Sequence, residues 1–152
     1  DDVAAAVALT APAVHLGVAW EDDAVARAVE ASWGVPFFLQ SIGRFAWQLR
    51  RGGTIRRADA ETAVELAFAD ARGLYLARWE LLTGAQRSFV SALARLGDEA
   101  AVAEVAAELG RRPAGLGRVR ADLVARGVVE TAGRGRVRFP LPGFATWVVE
   151  RD

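Results

Sequence analysis

The chain has 152 residues, enough for one medium domain or two small ones, and its 53% hydrophobic content with seven Phe and five Trp excludes a disordered polymer. It has no cysteine, which excludes disulfides and cysteine metal sites and makes a reducing cytoplasm the expected compartment. Net charge is zero, all 19 basic residues are arginine, and no apolar run reaches the ~20 residues that span a bilayer.

One histidine, His15, stands alone, and no nucleophile–base–acid set accompanies it, so no catalytic or metal site is predicted. Asp22/Asp23 and Asp98/Glu99 read as helix-start and loop charges. The chain opens on Asp1-Asp2 with no methionine and no signal peptide, and we expect a portion of a longer protein.

In chain order, Asp1 to Leu9 reads as the end of a helix, with Pro12 and Gly17 marking a loop. Glu21-Asp22-Asp23 opens a second helix, since acids favour the positive end of the helix dipole, and Gly34 stops it. A third helix starts near Pro36 and carries Phe38, Ile42, Phe45 and Leu49 at helical spacing. After Arg50-Arg51-Gly52-Gly53, Thr54-Ile55 is a short extended link. A long fourth helix opens at Ala58-Asp59 and presents Val64, Phe68, Leu74, Tyr75 and Trp79. Four helices in a row predict an all-α bundle over residues 1–82.

A second unit is predicted over residues 83–152. Thr83 with Gln86 three residues on is a capping box, and the helix that follows buries Phe89, Leu93 and Leu96. Ala100 to Leu109 reads as a short helix, Gly110 and Pro113 as a tight turn, and residues 114–126 as a third helix with Leu116, Val119, Leu123 and Val124 inward. Val128-Val129-Glu130 and Arg136-Val137-Arg138-Phe139 read as strands around the turn Ala132-Gly133-Arg134-Gly135, and a last helix holds Phe144, Trp147 and Val148. Helix, helix, turn, helix and a two-stranded ribbon is the winged-helix order. The fold expected is therefore mainly α: a four-helix bundle, then a winged helix (a helix-turn-helix with a two-stranded wing).

Charge divides along the same line. Residues 1–110 carry ten arginines against fifteen acids, whereas residues 111–138 carry eight arginines against Asp122 and Glu130. Such asymmetry points to a polyanion or acidic partner, or to a solvated arginine-rich surface.

Several stretches resemble the C-terminal region of AAA+/STAND-type P-loop ATPases, the group that includes Orc1/Cdc6-like archaeal and actinobacterial ATPases. They are Ser32-Trp33-Gly34-Val35-Pro36-Phe37-Phe38-Leu39-Gln40, Leu82-Thr83 with Gln86-Arg87, Arg120 to Val129, and Phe139-Pro140-Leu141-Pro142-Gly143-Phe144. The resemblance implies a helical ATPase lid in residues 1–82, a winged helix in 83–152, and an ATPase core upstream that binds ATP and magnesium. No G-x-x-x-x-G-K-[ST] loop occurs in this chain, so no cofactor and no ATP hydrolysis are expected of it alone. The resemblance also implies that Gly34 and Pro36 touch nucleotide in the parent protein; read by itself, Pro36 is a helix-starting proline.

The outer face of the 114–126 helix holds Ala114, Arg118, Ala121 and Ala125, with Asp122 beside it. Only Arg118 can make the bidentate hydrogen bonds that read base edges. Arg111, Arg112, Arg118, Arg134, Arg136 and Arg138 instead form a candidate set for non-specific contact with DNA phosphates. The competing expectation is a protein partner or intramolecular regulatory interface on the alanine face, the ATPase core being one such partner.

Overall fold

A computed structural model describes residues 1–151. The chain is mainly helical, with eight α-helices and two small sheets among the described residues, and it divides into two compact units, Asp1–Ala71 and Arg72–Asp152. The division falls inside one helix, eleven residues upstream of the boundary read from Thr83.

The first unit contains α1 (Asp2–His15), β1 (Ala19–Trp20), α2 (Asp22–Ser32), α3 (Pro36–Leu49), β2 (Thr54–Ile55) and the first part of α4 (Arg57–Glu80). Its core is Leu9, Ala13, Val18, Ala28, Ala31, Ile42, Ala46, Ile55, Ala63, Val64 and Ala67. Alanine at so many of these positions lets helix backbones approach closely, and Trp20, Leu39, Phe45, Trp47 and Phe68 fill the margin.

Two features depart from expectation. The loop expected at Pro12 is helix, and α1 runs through the proline to His15. A proline inside a helix costs ~3 kcal/mol. The helix persists because Leu9 and Ala13 on either side are buried, and the true break comes at Gly17, with φ 70. The link at Thr54-Ile55 is also a strand. It pairs in parallel with β1, Ala19 opposite Thr54 and Trp20 opposite Ile55.

The second unit contains the end of α4, α5 (Gly84–Leu96), β3 (Glu99–Ala101), α6 (Val102–Glu108), a 3-10 turn (Pro113–Leu116), α7 (Gly117–Ala125), β4 (Glu130–Thr131), β5 (Arg136–Arg138) and α8 (Phe144–Arg151). The capping box of α5 is formed: the Thr83 hydroxyl accepts from the Gln86 amide at 3.4 Å, and the Gln86 side chain accepts from the Thr83 amide at 2.9 Å. The three strands form one antiparallel sheet in the order β3-β5-β4.

The residues read as one helix from Ala100 begin instead as strand. Glu99–Ala101 pairs with β5, and the helix starts only at Val102, where Glu104 accepts the Ala101 amide at 2.7 Å. The helix expected over 114–126 starts as a 3-10 turn, consistent with the weak helix propensity of Gly115 and Gly117. The strand read at Val128-Val129-Glu130 is confined to Glu130–Thr131, because the Val128 and Val129 amides both donate to the Leu123 carbonyl at the end of α7 and not to a neighbouring strand.

Aromatic packing joins the ends of this unit. Tyr75 lies 5.6 Å from Phe144 and 5.9 Å from Trp147, and Trp79 lies 6.3 Å from Trp147 between ring centroids. The Tyr75 hydroxyl donates to the Pro142 carbonyl at 2.5 Å. Burial, and secondarily the Asp98 charge, pushes the Tyr75 pKa up to about 12. Among the described residues, no helix is long and apolar enough to cross a membrane, and no group of His, Cys, Asp and Glu could hold a metal.

Candidate functional site

The arginines singled out from the sequence occupy three places in the second unit. Arg111 and Arg112 lie in the turn after α6, where the Arg111 amide donates to the Ala106 carbonyl at 2.8 Å and Gly110 takes φ 62. Pro113 starts the 3-10 turn and brings the chain into α7, whose second residue is Arg118. Inward, Leu116 and Leu123 are buried, with Val119 and Val124 half-buried; outward, Ala114, Arg118, Ala121, Asp122 and Ala125 are exposed, as helical spacing predicts.

Arg134 lies at the tip of the β4–β5 hairpin between two left-handed glycines, Gly133 at φ 101 and Gly135 at φ 74. The hairpin closes through the Ala132 amide on the Arg136 carbonyl at 3.2 Å and the Arg136 amide on the Gly133 carbonyl at 3.3 Å. In β5, Val137 points into the core while Arg136 and Arg138 point outward.

These two strand arginines differ from the other four. Arg136 Nε meets Glu99 Oε1 at 2.7 Å, and Arg138 Nε meets Glu130 Oε1 at 2.5 Å. The register puts Glu99, Arg138 and Glu130 on one rung, so the outer face of the sheet alternates acid and base. The hydrogen bond that Arg136 donates to Glu99 raises the Arg136 pKa above its already high value. By contrast, the side chains of Arg111, Arg112, Arg118 and Arg134 are exposed and make no hydrogen bond or ion pair with any described residue. Arg120 is half-buried and likewise has no carboxylate partner among the described residues. Arg126 donates to the Leu81 carbonyl at 3.0 Å.

A family model described as a domain of unknown function (DUF8462) matches residues 72–148. The match covers half of the chain and nearly all of its second compact unit. The chain belongs to this family. Comparison with curated proteins finds no match.

The DUF8462 domain takes in all six candidate arginines and begins inside α4, where Tyr75 and Trp79 supply its aromatic core. Four of these six guanidinium groups are not neutralised by any described residue, and a free guanidinium is suited to phosphate oxygens. The pairing of Glu99 and Glu130 with Arg136 and Arg138 is not legible in the sequence, where Glu99 reads as a loop charge. Glu99 sits in a strand of three residues, too short for an alternating pattern to show.

Gly34 and Pro36 lie outside the DUF8462 match, in the first unit. Trp33 ends α2 in the left-handed region at φ 49, Gly34 follows at φ 72, and Pro36 opens α3; Gly34 and Pro36 are exposed. The Val35 amide donates to the Ser32 carbonyl at 2.9 Å. Pro36 thus has a structural task as first residue of α3.

Proposed function

We propose that the DUF8462 domain is a winged-helix module that contacts the DNA backbone without reading its sequence, within a protein whose P-loop ATPase core controls that contact through ATP and magnesium. The observation that carries the reading is the set of four exposed arginines without a partner among the described residues: Arg111, Arg112, Arg118 and Arg134. They fall in the turn before α7, at the start of α7 and at the hairpin tip. In a winged helix, these are segments that meet a duplex. The element order α5, β3, α6, α7, β4, β5 supports the winged-helix reading, and the resemblance to P-loop ATPases supports the wider context. In that context residues 1–71 act as part of the lid, and Gly34 and Pro36 contact nucleotide.

The exposed face of α7 and the turn before it offer little for base readout, since Arg118 alone can make bidentate bonds to a base edge. Ala114, Ala121 and Ala125 offer no side-chain hydrogen bond to a base edge, so affinity rests on phosphate charge and falls with salt. Four phosphate contacts give a slope of log K against log salt of about −3.6.

The test is binding of the chain to a labelled random-sequence duplex across ~50 to ~200 mM salt. Replacing Arg111, Arg112, Arg118 and Arg134 by alanine is expected to abolish the salt-dependent binding. Replacing the two ion pairs by glutamines (E99Q with R136Q, E130Q with R138Q) removes no net charge and is expected to leave the slope unchanged. Absence of wild-type binding at the lower salt would overturn the DNA reading. The exposed alanine face of α7 specifically favours a protein-interface function in that event, since small side chains admit a closely packed helix.

A further inference from the structure

The segment Arg50-Arg51-Gly52-Gly53-Thr54-Ile55-Arg56-Arg57 places four arginines in eight residues of an otherwise acidic stretch. It connects α3 to α4 and is held by the β1–β2 pair: the Ala19 amide donates to the Gly53 carbonyl at 2.8 Å, and the Glu21 amide donates to the Ile55 carbonyl at 3.0 Å. Gly52 at φ 81 turns the chain between the two arginine pairs.

The four side chains have different environments. Arg50 stacks on the Trp47 ring at 3.8 Å and donates to the Trp47 carbonyl. Arg57 pairs with Glu61 at 2.9 Å. Those two are committed to the fold. Arg51 is exposed and has no side-chain partner among the described residues, and Arg56 reaches Glu21 only at 4.0 Å.

Arg51 and Arg56, the two loosely held arginines, line one cavity of about 360 Å³ together with Leu49, Ala58, Asp59 and Thr62. That volume is in the range of small-ligand sites, ~300–1,000 Å³. Asp59 is the single carboxylate among the lining residues, and its Oδ2 accepts the Arg56 amide at 2.9 Å. The Thr62 hydroxyl donates to the Ala58 carbonyl at 3.1 Å. Two arginines line one small cavity, and the guanidinium fork is the side-chain group that matches the oxygens and double charge of a phosphate monoester.

We infer that the cavity lined by Arg51 and Arg56 binds the terminal phosphate of a small phosphorylated ligand. The site belongs wholly to the first unit and does not rest on the DNA reading of the second. Nucleic acid offers related chemistry, but as singly charged diesters along an extended chain.

The experiment is titration of the isotope-labelled chain with inorganic phosphate and with pyrophosphate, ionic strength being held constant with chloride, and with amide and arginine Nε–H resonances followed by NMR. Saturable shifts confined to residues 49–62, including Arg51 Nε, are the expected result. Arg51→Ala, at an exposed position, should weaken binding about tenfold or more, as loss of a charge-assisted hydrogen bond does, with the rest of the spectrum unchanged. Arg51→Ala with Arg56→Ala should abolish it. Shifts that do not saturate, shifts centred on Arg111, Arg112 and Arg134, or wild-type affinity in the double variant would each overturn the assignment. A further arm uses a duplex without terminal phosphates. Saturable shifts in residues 49–62 with that duplex, and none with pyrophosphate, would move the site to nucleic-acid backbone and overturn the small-ligand assignment.

Discussion

Tyr75 is the residue whose chemistry is most exposed to test. It is the only tyrosine, and there is no lysine or cysteine, so few groups titrate between pH 9 and 12. Its folded pKa stands at about 12 against 10.0 for the free side chain. A folded pKa above the unfolded one stabilises the fold fully below pH 10, and that contribution is lost as pH rises toward 12. Stability measured by urea unfolding should therefore fall over this window. Tyr75→Phe should remove most of that fall. At neutral pH the same variant should be less stable, because the Pro142 carbonyl loses its donor; an unsatisfied buried group costs about 1–3 kcal/mol. A second residue-scale prediction concerns Gly34. A Cβ there would meet nothing within 4 Å, so only backbone conformation opposes a side chain. At φ 72, Gly34→Ala should cost ~1–2 kcal/mol in the same unfolding measurement.

Among the elements, α5 and β3 show which signals are local. The start of α5 depends on Thr83 and Gln86, three residues apart, whose reciprocal hydrogen bonds need no other part of the chain. Thr83→Ala should destabilise the second unit by ~1 kcal/mol, read as a lower urea midpoint with unchanged slope. Strand β3 has no such local signal. Glu99–Ala101 is extended because β5 supplies its hydrogen-bond partners across nearly forty positions of sequence, and alanines at 100 and 101 favour helix in isolation. Pro12 is the converse case: a strong local breaker overridden by burial on both sides. The turn at Gly133–Gly135 was legible because only glycine enters the left-handed region freely.

For the whole molecule, the buried residues of α4 change character along its length. Ala60, Ala63, Val64, Ala67 and Ala71 belong to the first unit, and Tyr75 and Trp79 belong to the second. A fragment starting at Arg72 keeps both aromatics, whereas one starting at Thr83 loses them and exposes Phe144 and Trp147. The first should give a cooperative unfolding transition and a near-ultraviolet dichroism signal, and the second should lose both. The family match, which starts at residue 72, agrees with the compact unit in placing that boundary inside the helix. The mainly helical composition, the helix starts at Pro36 and Thr83, the inward and outward faces of α7, and the concentration of arginine in residues 111–138 are all local properties of the chain. Each follows from propensity, periodicity or charge within a few turns of chain. The parallel β1–β2 pair, the strand at Glu99, the unit boundary within α4, and the choice of which arginines are neutralised arise in the folded chain alone. Those depend on groups brought together from distant positions: Arg136 reads as free in the sequence and is paired in the fold, because its carboxylate lies thirty-seven residues away.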